Sequence, residues 1–269
     1  MMEGHSCAQL SLPRDKEQDA IQAAINENPR NASKSPIDLA VEVGKFWKPG
    51  RTLRVSLRGG TPYVRSKVQL YAEVWSEYAN IHFQFVEQEP ADIRVSFVPN
   101  NSSWSHVGTD ALMINGQEPT MNFGWFNDNT QDMEFSRTVI HEFGHAIGCI
   151  HEQSQPHADI HWNKEYVYQY YAPMGWDRDD VDRNVFFKFS PTAVESSDYD
   201  PLSIMQYPVP EGFTTDGFVV GWNTQLSEKD IQFIKTIYPR ANAPFTLGKP
   251  KTDSLDKTVK VATAQPVQA

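Results

Sequence analysis

Residues 141–152 read HEFGHAIGCIHE, and no other stretch of this chain limits its fold and chemistry so tightly. His141 and His145 are four apart, so a helix puts both imidazoles on one face, where they can grip a single ion. Glu142 stands beside them, within reach of a water on that ion without being a ligand. Gly148 falls where a left-handed residue can end a helix and turn the chain sharply, which brings His151 back as a third nitrogen. Three neutral imidazoles with a fourth position left to water make an open zinc site of the catalytic type, one Zn2+ per chain. Zinc acidifies such a water, and Glu142 is placed to take its proton as general base. HExxH alone arises by chance in unrelated proteins; Gly148 and His151 at this spacing, at a helix end, set the pattern apart.

Around this helix the chain reads as β and α elements first and loops afterwards. TLRVSLR from Thr52, IHFQFVE and DIRVSFV alternate apolar and polar residues, as half-buried strands do. A helix is expected from about Val64 to Tyr78, with Val68, Tyr71, Ala72 and Trp75 on one face. NNSSWSHVGTDALMINGQEPT is rich in Gly and Asn and reads as irregular, and MNFGWF as a short strand. The central helix runs from about Glu134 to Ile147. Beyond it Pro, Asp and Tyr dominate, with one helix near Lys164–Tyr171 and another in SEKDIQFIKTIYP, capped by Ser227 and stopped by Pro239. WDRDDVDRN, from Trp176, lacks the glycine and spacing of a calcium loop and reads as a turn or helix start. The expectation is one catalytic domain over 46–240, with a cleft between two lobes. Residues 1–45 form an N-terminal extension, read as a mobile segment with one docked helix starting near Asp15; a propeptide is the other reading. The tail over 241–269 is Pro-, Thr- and Lys-rich and reads as disordered.

Composition excludes several classes. With a formal net charge of -10 and no basic stripe, the chain is no candidate for binding a nucleic-acid backbone. Its apolar runs are too short to span a bilayer. Glu3 and His5 interrupt the start, so no signal peptide is read there; a reducing compartment or an unconventional exit is the expectation from composition. Two cysteines, Cys7 and Cys149, are too few for a disulfide framework. Cys149 reads as a small buried hydrophobe. For Cys7 an unreactive, flexible cysteine is the plain reading, and a thiolate folded back onto the zinc is the alternative. Asn31, Asn100 and Asn101 each open an N-x-S triplet. His82, His106, His157 and His161 lack metal spacing with one another.

HExxHxxGxxHE, ending in Glu152, together with SIMQY at 203–207, resembles the metzincin metallopeptidases and, within them, the astacin-like branch of microbial type. WKPGRTLRV, ADIRVSF, WSHVGTDA, MNFGW and a closing YP extend the resemblance over most of Trp47 to Pro239. It implies an α+β, two-lobed zincin with a twisted mixed sheet and helices above and an irregular lower lobe holding the Met-turn. Met205 would then floor the zinc site. Tyr207 would lie near the metal, as an extra ligand or as a donor to the oxyanion. Asn122, Phe123, Gly124 and Trp125 would form the edge strand that an extended substrate joins. Proteins or peptides are the implied substrates, cleaved by a zinc endopeptidase, and an extracellular location is implied against the missing leader. The chain departs from the animal astacins in lacking their four disulfide cysteines and in carrying Gln206 where His is common. Two rivals stand beside this reading: a non-catalytic, zinc-stabilised binding module, and a zinc hydrolase acting on bonds other than peptides.

Overall fold

The computed structural model describes residues 6–32, 44–100, 102–189 and 198–240; the tail expected to be disordered and Asn101 lie outside them. In chain order the elements are β1 (Ser6–Leu10), α1 (Glu17–Glu27), β2 (Thr52–Arg58), α2 (Pro62–Ala72), α3 (Val74–Tyr78), β3 (His82–Val86), β4 (Ile93–Ser96), β5 (Ser102–His106), β6 (Met121–Asn122), α4 (Asp132–Ala146), α5 (Lys164–Tyr171), α6 (Arg178–Val181) and α7 (Glu228–Ile237). The six strands form one mixed sheet in the order β1-β5-β6-β4-β2-β3. Only β5 and β6 pair antiparallel.

Local chemistry explains most of these elements. Leu53, Val55 and Leu57 of β2 are buried, and so is Ser56 between them, as in a parallel strand covered on both faces. Thr61 caps α2 by accepting from the Val64 amide, with Pro62 in the first turn. The single helix expected from Val64 to Tyr78 is two, α2 and α3. Tertiary contact overrides periodicity here: Trp75 is fully buried and its Nε1 donates to the Ile140 carbonyl at 2.8 Å. α4 opens on Asp132 and Glu134, favourable charges at a helix N-terminus, and gives out before Gly148, whose φ is +106°. Ser227 and Asp230 close a reciprocal capping box at the start of α7, and Asp177 and Asp180 another at α6.

Two apolar clusters define two lobes. The larger lies between the sheet and the helices and includes Trp47, Leu53, Val68, Trp75, Phe83, Phe143 and Ile147. Each such side chain stabilises the fold by about 1.5–3 kcal/mol on burial. Phe83 and Phe143 meet edge-to-face at 5.1 Å. The smaller cluster, with Val167, Tyr171, Val181, Tyr207, Val209 and Phe213, holds the loop-rich lobe together. The end of α4 and the turn at Gly148 lie where the lobes meet. No described helix is long and apolar enough to cross a membrane.

Two expectations are corrected. β6 is not the edge strand: it is paired with β4 on one side and β5 on the other. Asn122 ties the interior of the sheet, its Oδ1 accepting from Ser96 Oγ at 2.7 Å and the Val98 amide at 2.8 Å. Phe123 is buried and stacks on Phe126 at 4.7 Å, Gly124 lies against the backbone of Asn100 and Ser102, and Trp125 Nε1 donates to Glu134 at 3.0 Å. The strand outside them, β5, sits inside a Ser- and Asn-rich stretch without apolar alternation, and so reads as loop. The second correction concerns the N-terminal extension. Besides α1, which starts at Glu17 after a short turn at Arg14–Lys16, it supplies β1, laid parallel on β5 from Ser6↔Ser102 to Leu10↔His106.

Candidate metal centre

α4 carries His141, Glu142 and His145 on its inward side, all buried. After the left-handed Gly148 the chain doubles back, and His151 joins them: one ring nitrogen from each of the three histidines lies within 4.8 Å of the others. Main-chain carbonyls orient two of the rings. His141 Nδ1 faces the Ile204 carbonyl at 2.8 Å, and His145 Nδ1 faces the Cys149 carbonyl at 2.9 Å. A carbonyl accepts only, so each Nδ1 carries its ring's proton and each Nε2 presents a lone pair.

Those lone pairs test whether the residues fit zinc. His141 Nε2 is buried with no hydrogen-bond partner among the described residues, and His145 Nε2 stands 3.0 Å from His151 Nε2. Nitrogens about 2.0–2.1 Å from a tetrahedral zinc ion sit roughly 3.3 Å apart, so a cation among them satisfies what is otherwise a knot of buried acceptors. Burial lowers all three imidazole pKa values, that of His141 to about 4, so the rings are held in the neutral, ligating form.

Glu142 is fully buried, and neither carboxylate oxygen has a hydrogen-bond partner of good geometry among the described residues. Burial pushes its pKa well above the carboxylate range, against the Cys7 thiol and Arg137, which pull it down; a cation on the three nitrogens acts in the same sense as Arg137. Arg137, one turn before His141, is paired with Glu134 at 2.7 Å and capped by the Trp222 ring at 3.8 Å.

Met205 and Tyr207 both lie against the histidine-bearing helix and turn. A Cβ on Gly144 would lie 2.5 Å from Met205 Sδ, so the thioether rests on the helix backbone between the two helical histidines. Tyr207 is buried, its ring centroid 4.3 Å from that of His151. Burial holds its phenol pKa well above the usual 10, so the hydroxyl is a donor. That hydroxyl donates to the backbone carbonyl of Cys7. Glu152 accepts from the Asp200 amide at 2.8 Å and its own amide donates to the Met205 carbonyl at 3.0 Å, which ties the third-histidine segment to the Met-turn. Burial raises its carboxyl to about 7.

Cys7 is the residue that sequence reasoning placed least well. It is not on a flexible end: it lies in β1, and its sulfur, a His141 ring nitrogen and a Glu142 carboxylate oxygen are all within 4.8 Å of one another. A cysteine thiolate is a zinc ligand by chemistry, but nothing local to Cys7 signals the long-range pairing of β1 with β5 that puts it there. Cys149 is buried, as expected. His82, His106, His157 and His161 join no metal-holding group among the described residues.

Three imidazoles from a helix and its turn, a glutamate beside them and a methionine beneath define a metzincin-type zinc peptidase site. Residues 41–239 match the profile of the Astacin peptidase family. The chain belongs to the astacin family of zinc-dependent endopeptidases. A solved structure of myroilysin is similar, with 54% identity and a TM-score of 0.71 over 73% of this chain and 96% of that one. Protein SpAN of Strongylocentrotus purpuratus is 32% identical over 160 residues, 54% of this chain and 22% of that protein. Zinc metalloproteinase dpy-31 of Caenorhabditis elegans is 26% identical over 217 residues, 75% of this chain and 33% of that protein. The chain thus spans between a fifth and a third of the length of these two relatives.

Proposed function

We propose that the domain over 46–240 cleaves peptide bonds of protein substrates with Glu142 as its base, and that residues 1–45 hold it latent. The buried Glu142 carboxylate beside three convergent nitrogens carries the first part. A binding module that keeps zinc only for folding has no use for such a group, which costs stability and returns none. When bound, zinc supplies Lewis acidity, acidifying a water and polarising the scissile carbonyl. His141, His145 and His151 hold the ion, with two rings fixed by the Ile204 and Cys149 carbonyls. Glu142 takes the proton of the attacking water and returns it to the leaving amine. Tyr207 donates to the carbonyl oxygen as its charge grows, a role its bond to the Cys7 carbonyl prefigures. Substrate adds to β5, the strand that β1 covers in this chain.

The placement of Cys7 supports latency. β1 occupies the cleft edge, its Cys7 carbonyl takes the Tyr207 donor, and its thiol faces the catalytic glutamate. As a thiolate, Cys7 would complete a closed four-ligand zinc site and displace the water. The test is casein cleavage by the purified full chain, by Cys7→Ala, and by a form trimmed ahead of Phe46, each with and without a zinc chelator. The expected result is little cleavage by the full chain and at least about tenfold more from the other two, all chelator-sensitive. A full chain as active as the trimmed form sinks the latency reading; no cleavage by any zinc-loaded form sinks the peptidase reading. The family resemblance supports an extracellular site of action, which recovery of the native protein only from washed cells, never from the medium, would overturn.

A further inference from the structure

The N-terminal segment grips the catalytic domain a second time, far along the chain from Cys7. Asn31 is buried and its carboxamide behaves as a peptide group paired with Phe46: Oδ1 accepts from the Phe46 amide at 3.1 Å and Nδ2 donates to the Phe46 carbonyl at 2.8 Å. The same Nδ2 donates to the Ala24 carbonyl at 2.9 Å, closing the end of α1 onto this contact. Asn28, also buried, donates to the Trp47 carbonyl at 3.0 Å. Glu27 adds a weaker pair with Arg51 at 3.3 Å.

What these residues grip is a fixed anchor. Trp47 Nε1 donates to the Ala146 carbonyl at 2.8 Å, and the Trp47 amide donates to the Tyr238 hydroxyl at 3.0 Å. Tyr238 in turn donates to the Ile147 carbonyl at 2.6 Å. The Phe46 ring covers Gly148 so closely that a Cβ there would lie 2.6 Å from it. The strip Phe46–Trp47 is therefore held to the turn that delivers His151 by bonds in which the segment takes no part.

We propose that Asn28 and Asn31 form a latch, remote from the metal, that docks the N-terminal segment on the main-chain edge of Phe46–Trp47 and thereby sets how often β1 and Cys7 leave the cleft. Only a carboxamide both donates to and accepts from Phe46; a carboxylate would accept alone and face two buried carbonyls with a negative charge. The Nδ2 of Asn31 is committed to these bonds, so its N-x-S triplet is closed to glycan attachment in the docked state. The latch deepens the latency reading, yet its readout, thiol exposure, does not depend on activity.

The experiment is the rate of Cys7 modification by a neutral thiol reagent in the full, zinc-loaded chain, compared with Asn31→Asp, Asn28→Asp and the control Asn26→Asp. Asn26 is an exposed residue of α1 whose side chain accepts from Gln22 Nε2 at 2.9 Å. Buried Cys149 reports on wider unfolding, and Asn31→Ala removes the latch without burying a charge. The latch predicts labelling of Cys7 at least about tenfold faster in the Asn28 and Asn31 variants, an unchanged rate in Asn26→Asp, and Cys149 protected throughout. An unchanged Cys7 rate in Asn31→Ala overturns it. Equal acceleration by Asn26→Asp does so too, and so does exposure of Cys149 in Asn31→Ala, which would mean that the residue holds the whole fold. A full chain that proves active while these rates behave as expected refutes latency and leaves the latch standing.

Discussion

The two sides of the metal centre are built differently. One side is local: His141, Glu142, His145 and His151 come from eleven consecutive residues, placed by a helix and the left-handed glycine at its end. The other is assembled from distant parts of the chain: Tyr207 from the lower lobe, Cys7 from β1, and β5, on which β1 lies. The local side sets what chemistry is available. On the function proposed above, the assembled side governs when that chemistry is available and to what.

Two substitutions in the trimmed enzyme sharpen that contrast. Glu142→Ala removes the base from the local side and is expected to lower kcat by about 10²–10⁴-fold, with zinc content by atomic absorption unchanged. Loss of zinc from this variant would make Glu142 a ligand and break the division of roles. Tyr207→Phe removes one donor from the assembled side. It is expected to lower kcat by about 10–10²-fold with KM little changed, because the donor acts on charge that grows in the transition state. A rise in KM at constant kcat would mean that Tyr207 holds substrate rather than assisting the reaction.

The same division explains what could be read from the sequence. A 3.6-residue period, a capping serine at residue 227 and a glycine at residue 148 act within a few residues of themselves, so α4, α5 and α7 fall close to where their patterns place them. Met205 and Tyr207 were reachable only through the SIMQY resemblance, since nothing in their own neighbourhood says that they meet an element some sixty residues upstream. β5 is silent in the sequence because sheet pairing, not side-chain alternation, makes it a strand: Ser103 and Ser105 are buried although neither is apolar. Cys7 needed both the strand β1 and its partner β5 to be known, and neither has a local signature.

A final prediction probes the assembled side without touching the metal ligands. His106 ends β5 opposite Leu10, is buried, and its Nδ1 has no partner among the described residues. Burial first, then the positive charges of Lys45, Arg94 and Lys16, lower its pKa from 6.5 to about 4. In the unfolded chain the ring takes a proton as pH falls through about 6.5; in the fold it resists until about 4. The contribution of neutral His106 to stability is therefore complete above about 6.5 and drains away as pH falls towards 4, with an upper bound of about 3 kcal/mol. Because Lys16 comes from the N-terminal segment and β1 covers β5, the docking of that segment weakens over the same window. Urea unfolding of the full chain at a series of pH values between 7 and 4, beside His106→Gln, checks this. The wild type is expected to lose stability more steeply than the variant as the medium is acidified. Parallel curves would show that His106 titrates alike folded and unfolded, and that the edge under β1 is open to water after all.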